Sequence, residues 1–168
     1  RLMDPYMGAL TQEITQWGKL LEGPVVNSVF FGGGTPSYLR EGYIGRILES
    51  AGSSFQLGCD AEITIEANPG DLDLEACQRL VKVGVNRLSI GVQSLDNGLL
   101  SILGRRHDAN QAMEALQIAR SGGLSNINLD FMYGLPHQTM SQWKDTMQRM
   151  VSQSPNHISL YCLTLEEG

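Results

Sequence analysis

The chain has 168 residues and a mass of 18.4 kDa, the size of one domain. Its 12 Lys and Arg against 18 Asp and Glu leave a net charge of −6, which argues against a nucleic-acid-binding surface. With 42% apolar and 18% charged residues the chain is not disordered, and a complete (β/α)₈ barrel of about 250 residues does not fit in it.

Residues 3–21 read as an amphipathic helix with Met7, Leu10, Ile14, Trp17 and Leu21 on one face. VVNSVFF, 25–31, is strand-like and ends in Gly32-Gly33-Gly34. A helix at about 40–51 precedes AEITIEA, 61–67, an alternating strand closed by Asn68-Pro69-Gly70. A helix at about 73–83 stops at Gly84, and VNRLSIGV, 85–92, is the third strand. Helices at about 96–103 and 109–121 follow, the second stopped by Gly122-Gly123. NINLDFMYG, 126–134, is the fourth strand, and a helix at about 140–153 leads to the fifth, NHISLYCLTL, 156–165. The strand starts lie about 33 residues apart on average, the size of one βα unit, which predicts a parallel α/β sheet with helices over it. The strands are read as mostly apolar on both faces, as a helix-covered sheet requires.

No apolar run approaches the ~18 residues of a membrane span, and no signal peptide is visible. Cys59, Cys77 and Cys162 are too few for a disulfide framework and match no Cys-x₂-Cys pattern. A cytoplasmic, reducing setting is expected. His107, His137 and His157 show no His-x₃-His spacing, so no metal ligands are assigned on this chain. The opening helix has no strand before it. A first strand is therefore expected upstream of Arg1, and residues 1–168 read as a single-domain fragment of five βα-type units.

In a parallel α/β fold ligands bind at the C-terminal ends of the strands. Gly32-Gly33-Gly34-Thr35-Pro36, Glu66 to Pro69, Gln93-Ser94, Asp130, Tyr133 to Pro136, and Tyr161 to Glu166 all stand there. Three glycines let the backbone approach a ligand, and freed N–H groups with the Thr35 hydroxyl suit a carboxylate or phosphate. The loop lacks the lysine of a P-loop. Its alternative is a tight turn into a helix begun by Pro36. Glu62, Thr64 and Glu66 share one face of their strand, with Ile63 and Ile65 on the other. Glu66 is either an acceptor for ammonium or hydroxyl groups or a solvated charge. Asp130 follows Ile127, Asn128 and Leu129 in an apolar strand and needs a partner or a ligand. Arg105 and Arg106 sit past a short helix, where cations are also favoured electrostatically.

FFGGGTPSYL (30–39), EITIEANPGDL (62–72), GVNRLSIGVQSL (84–95), LGRRHD (103–108), NLDFMYGLPHQT (128–139) and HISLYCLTLEEG (157–168) together resemble radical S-adenosylmethionine enzymes of the oxygen-independent coproporphyrinogen III oxidase group. Within that group the last run and LGRRH are similar to the heme chaperone branch, and the oxidase is the competing branch. The resemblance implies a partial (β/α)₆ TIM-like barrel lacking its first strand here. It implies a [4Fe–4S] cluster bound by a Cys-x₃-Cys-x₂-Cys loop absent from this chain, with S-adenosylmethionine as a second cofactor and heme as cargo for a recipient protein. A heme-associated C-terminal domain would also lie outside the chain. By position Gly33, Gly34, Thr35 and Glu66 would meet the methionine end of S-adenosylmethionine. Gln93, Arg105 and Asp130 match contacts to a second such molecule in the oxidase, and Thr164 lies near another. The fragment alone is expected to be inactive. A phosphate-binding parallel barrel is the reading that remains without the resemblance.

Overall fold

The computed structural model describes residues 2–39 and 41–164. Five parallel strands, β1 (Val25–Phe31), β2 (Gln56–Ala67), β3 (Arg87–Gln93), β4 (Asn126–Tyr133) and β5 (His157–Cys162), pair in chain order and curl into a half-barrel. Six α-helices alternate with them: α1 (Met3–Leu20), α2 (Glu41–Ser54), α3 (Leu74–Lys82), α4 (Asn97–Ile102), α5 (Ala109–Ser121) and α6 (Met140–Ser152). Helix starts are fixed by local chemistry. The side chains of Asp73, Asp96, Asp108 and Thr139 each accept the N–H three residues on, and the last two complete capping boxes with Gln111 and Gln142. Each such cap stabilises its helix by about 1 kcal/mol.

The core lies between the helices and one face of the sheet. Ile65, Leu88, Ile90, Ile127, Leu129 and Phe131 point into it and meet Met7, Ile44, Leu80, Leu116 and Met150 of the helices. The alternate positions carry Glu62, Thr64 and Glu66 on β2, Ser89 and Gln93 on β3, and Asn128 and Asp130 on β4. The expectation of two apolar faces is thus corrected: the strands alternate, and their second face is polar. A half-barrel leaves that concave face open, so no second helix layer demands apolar residues there.

The buried stripe of one helix and three strand boundaries also differ from expectation. On α1, Met7 and Gly18 are buried while Trp17 and Leu21 are about half exposed, because the helix rests on α2 along a narrower stripe. β2 begins at Gln56, since Gln56 and Leu57 already pair with Val25 and Val26 before an irregularity that re-registers Ser28 with Glu62. Gly58 and Asp60 sit inside that irregularity. β3 begins at Arg87, not Val85. β5 ends at Cys162, so Thr164 lies beyond it, and Glu166 falls outside the described residues.

Candidate functional site

The site grows from the polar face at the carboxyl ends of the strands. After β1, Gly33 and Gly34 adopt φ of +80° and +63°, a left-handed conformation that L side chains rarely tolerate. This turn aims the Gly33 N–H at Glu66 Oε2, 3.1 Å away on β2. Pro36 then opens a 3₁₀ turn, Pro36–Tyr38, where its missing N–H costs nothing. The chain therefore uses the glycine run both as a turn and as a ligand for its own carboxylate.

A cavity of about 240 Å³ lies beside this loop, and Gly34, Thr35, Glu66, Gln93, Arg105 and Asp130 line it. Six of the eight residues singled out from sequence thus meet around one hollow. Gly33 is tied to it through Glu66. Thr164 is exposed beyond β5 and does not line the cavity.

Asp130 is fixed by two neighbours. Ser89 Oγ donates to its Oδ2 at 2.8 Å, and Asn128 Nδ2 donates to its Oδ1 at 2.7 Å. The Asn128 amide is oriented in turn by Ser159, whose Oγ donates to Asn128 Oδ1 at 3.1 Å, and by His157 Nδ1 on the same oxygen. Each Asp130 oxygen keeps lone-pair capacity for a further donor.

Gln93 lies at the centre of a three-residue turn. The Ser94 N–H donates to Val92 O at 2.8 Å, Gln93 takes φ +67°, and the β3–β4 register slips at this point. Backbone of this kind costs about 1–3 kcal/mol and concentrates at functional sites. The buried His107 donates from Nε2 to the same Val92 carbonyl at 3.0 Å. Burial, reinforced by the Arg105 charge, holds the His107 pKa below the usual histidine value, despite the favourable bond to Val92.

Arg105 is half-buried and donates from Nη1 to Asn68 Oδ1 at 3.4 Å. Burial lowers its pKa, but an arginine so placed stays charged at neutral pH. Among the described residues no carboxylate forms an ion pair with it. Arg106 turns away: it stacks over the Tyr38 ring, donates to the Tyr38 hydroxyl and reaches Asp71 Oδ1 at 3.4 Å.

Sequence reasoning missed Ser89, Gly91 and Asn128. A lone Ser, Gly or Asn in an apolar run carries no motif. Counting back in twos from Gln93 and Asp130 would have placed all three on the polar face. At Gly91 an added Cβ would stand 2.9 Å from Gln93 Nε2, so its bareness leaves room for that side chain.

The site joins two carboxylates, one cation and hydroxyls beside the glycine loop. It suits a small zwitterion that also bears hydroxyls. Among the described residues no group of three or more His, Cys, Asp or Glu could hold a metal ion. Cys59 is exposed in β2, Cys77 is buried in α3, and Cys162 is exposed at the end of β5.

The profile of the radical SAM superfamily matches residues 7–150. The heme chaperone HemW of Haemophilus influenzae is 40% identical over 141 residues, 84% of this chain and 37% of that protein. The radical S-adenosyl methionine domain-containing protein 1, mitochondrial, of Mus musculus is 42% identical over 143 residues, 85% of this chain and 32% of its own length. Coproporphyrinogen III oxidase (HemN) from Escherichia coli, a radical SAM enzyme of known structure, superposes with a TM-score of 0.85 at 35% identity, over 96% of this chain and 37% of that one. The chain therefore spans roughly a third of the length of each relative. No described helix is long and apolar enough to cross a membrane.

Proposed function

The chain belongs to the radical SAM superfamily, and on that footing we propose that its strand-end cavity binds S-adenosylmethionine within a longer protein that carries heme to a recipient protein. One observation carries the ligand assignment: an arginine with no carboxylate partner among the described residues and two carboxylates, Arg105, Glu66 and Asp130, converge on one cavity beside the glycine loop. The Gly33 N–H is already engaged by Glu66. The ligand carboxylate is therefore assigned to the Gly34 N–H and the Thr35 hydroxyl. Glu66 accepts from the ammonium group, and Asp130 accepts from ribose hydroxyls. Gln93 and Arg105 close the far side. Thr164 has no assigned contact. S-adenosylmethionine supplies a sulfonium that a one-electron donor can cleave. In this chain the site residues bind and orient it.

The described residues do not fit a [4Fe–4S] cluster, because their three cysteines lie in separate elements. We assign the cluster thiolates to a part of the full-length protein outside these 168 residues. The free thiols suit a reducing compartment, and the cytoplasm is the proposed location.

Heme as cargo rests on the name of the Haemophilus influenzae relative at 40% identity. The superposition on the Escherichia coli oxidase supports a second reading, oxidative decarboxylation of coproporphyrinogen III. The test uses the anaerobically purified full-length protein. Tight heme binding by absorbance, followed by transfer to an apo-hemoprotein, is the expected result. Decarboxylation of coproporphyrinogen III without heme transfer would decide for the oxidase.

A further inference from the structure

We propose that Asp71 is a positioning residue that fixes the Arg105 guanidinium in the cavity by setting the polarity of Asn68 between them; the ligand named in the test rests on the S-adenosylmethionine reading above. Asp71 follows β2 in the turn Asn68-Pro69-Gly70-Asp71, closed by its own N–H to Asn68 O at 3.0 Å. Its side chain is only 8% exposed, and three loops converge on it. Ser37 Oγ, from the turn after the glycine loop, donates to Oδ2 at 3.2 Å. Asn68 Nδ2 donates to the same oxygen at 3.1 Å. Arg106 Nη2, from the loop between α4 and α5, reaches Oδ1 at 3.4 Å.

The chemistry permits one orientation of Asn68. A carboxylate only accepts, so the amide NH₂ must face Asp71. A guanidinium only donates, so the amide oxygen must face Arg105, and it does so at 3.4 Å. Asn68 and Arg105 both line the cavity, whereas Asp71 does not. Asp71 thus acts at one remove. It also joins the loops that carry Thr35, Asn68 and Arg105, three parts of the rim contributed by distant stretches of sequence.

Asp71→Asn keeps the shape but no longer dictates the polarity of Asn68, because an amide can turn either face to it. With its NH₂ toward the present Asn68 NH₂, two donors oppose; with its NH₂ toward Arg106, a donor opposes a guanidinium. The experiment is a double-mutant cycle on the full-length, cluster-reconstituted protein, with S-adenosylmethionine Kd measured by calorimetry for wild type, Asp71→Asn, Arg105→Ala and the double variant. Asp71→Asn alone should weaken binding about tenfold. In the Arg105→Ala background its effect should shrink below about twofold. Equal effects in the two backgrounds would overturn the proposal. A second arm needs no ligand: arginine side-chain NMR of the same proteins. The Arg105 guanidinium signals should show restricted rotation in wild type and averaging in Asp71→Asn and in Asn68→Ala. Unchanged Arg105 signals in both variants would overturn the positioning role. Wild type that fails to bind S-adenosylmethionine while the NMR difference persists would remove the ligand reading and leave the role of Asp71 standing.

Discussion

The Gly33 N–H and the Glu66 carboxylate meet at 3.1 Å although 33 positions separate them in sequence. This bond stitches the loop after β1 to the end of β2 and directs one carboxylate oxygen at the loop. In the proposed function the carboxylate also accepts from the ligand ammonium group. Loop and carboxylate therefore work as a pair, and a change in either should be felt at the cavity.

Glu66→Gln in the full-length protein keeps the size of the side chain and removes its charge. S-adenosylmethionine affinity should fall about 10- to 150-fold, equivalent to about 1.5–3 kcal/mol for a charged hydrogen-bond partner. Calorimetry on the reconstituted protein measures it. An unchanged Kd would take Glu66 out of the site.

Gly33→Val tests the loop. An added Cβ at Gly33 would meet nothing within 4 Å, so the cost comes from φ +80° alone. A β-branched residue there is strained by about 1–3 kcal/mol and should push the loop into another conformation, breaking the bond to Glu66. Gly33→Asn, which tolerates left-handed backbone better, should retain more binding. Comparing the two by calorimetry separates backbone strain from simple bulk.

The three thiols should behave differently. Burial pushes the Cys77 pKa up to about 11, with the nearby Asp73 charge adding to the effect. Cys59 and Cys162 are exposed. A thiol reagent at neutral pH should label Cys59 and Cys162 in the folded chain and reach Cys77 only on unfolding, as read by mass spectrometry. The same separation means that this chain alone, treated anaerobically with iron and sulfide, should show no [4Fe–4S] absorbance band.

His107 makes the fold acid-sensitive. Its pKa is depressed in the folded state, chiefly by burial, so the unfolded chain binds the proton first as pH falls. The stability contributed by neutral His107 is complete above the usual histidine pKa of about 6.5 and is lost as pH falls through the depressed value. Melting temperature should therefore begin to drop as pH falls below about 6.5. His107→Gln, which can still donate to Val92 O, should flatten that slope. Asp96 is also held low, mainly by the Leu99 N–H, but its titration lies in more acidic solution.

Gly122→Ala should destabilise the fold. An added Cβ would overlap the Cβ of Cys77 on α3, and neither backbone can yield cheaply. Overpacking of this kind costs about 1–3 kcal/mol, visible as a lower urea midpoint. Gly8→Ala on α1, where nothing lies within 4 Å, is the control and should be neutral or mildly stabilising.

The order of strands and helices is legible along the chain, because apolar or alternating strand runs and amphipathic helices are local patterns set apart by turn residues. The sequence by itself also placed Glu66 and Gln93 at the ends of β2 and β3, whereas Asp130, expected at a strand end, lies within β4, between Gly91 and Ser159. Tertiary structure alone decided which of these residues meet. The pairing of Glu66 with Ser89 and of Gly91 with Asp130 follows from inter-strand register, which no local pattern encodes. The β3–β4 pairing sets Ser89 beside Asp130, whereas Asn128 shares the face of Asp130 by alternation along β4. Gly122 reads as a helix stop in the sequence, and its need for a bare Cα appears only where α3 crosses it at Cys77. Asp71 likewise gains its role from Ser37 and Arg106, which chain folding alone brings within hydrogen-bond reach.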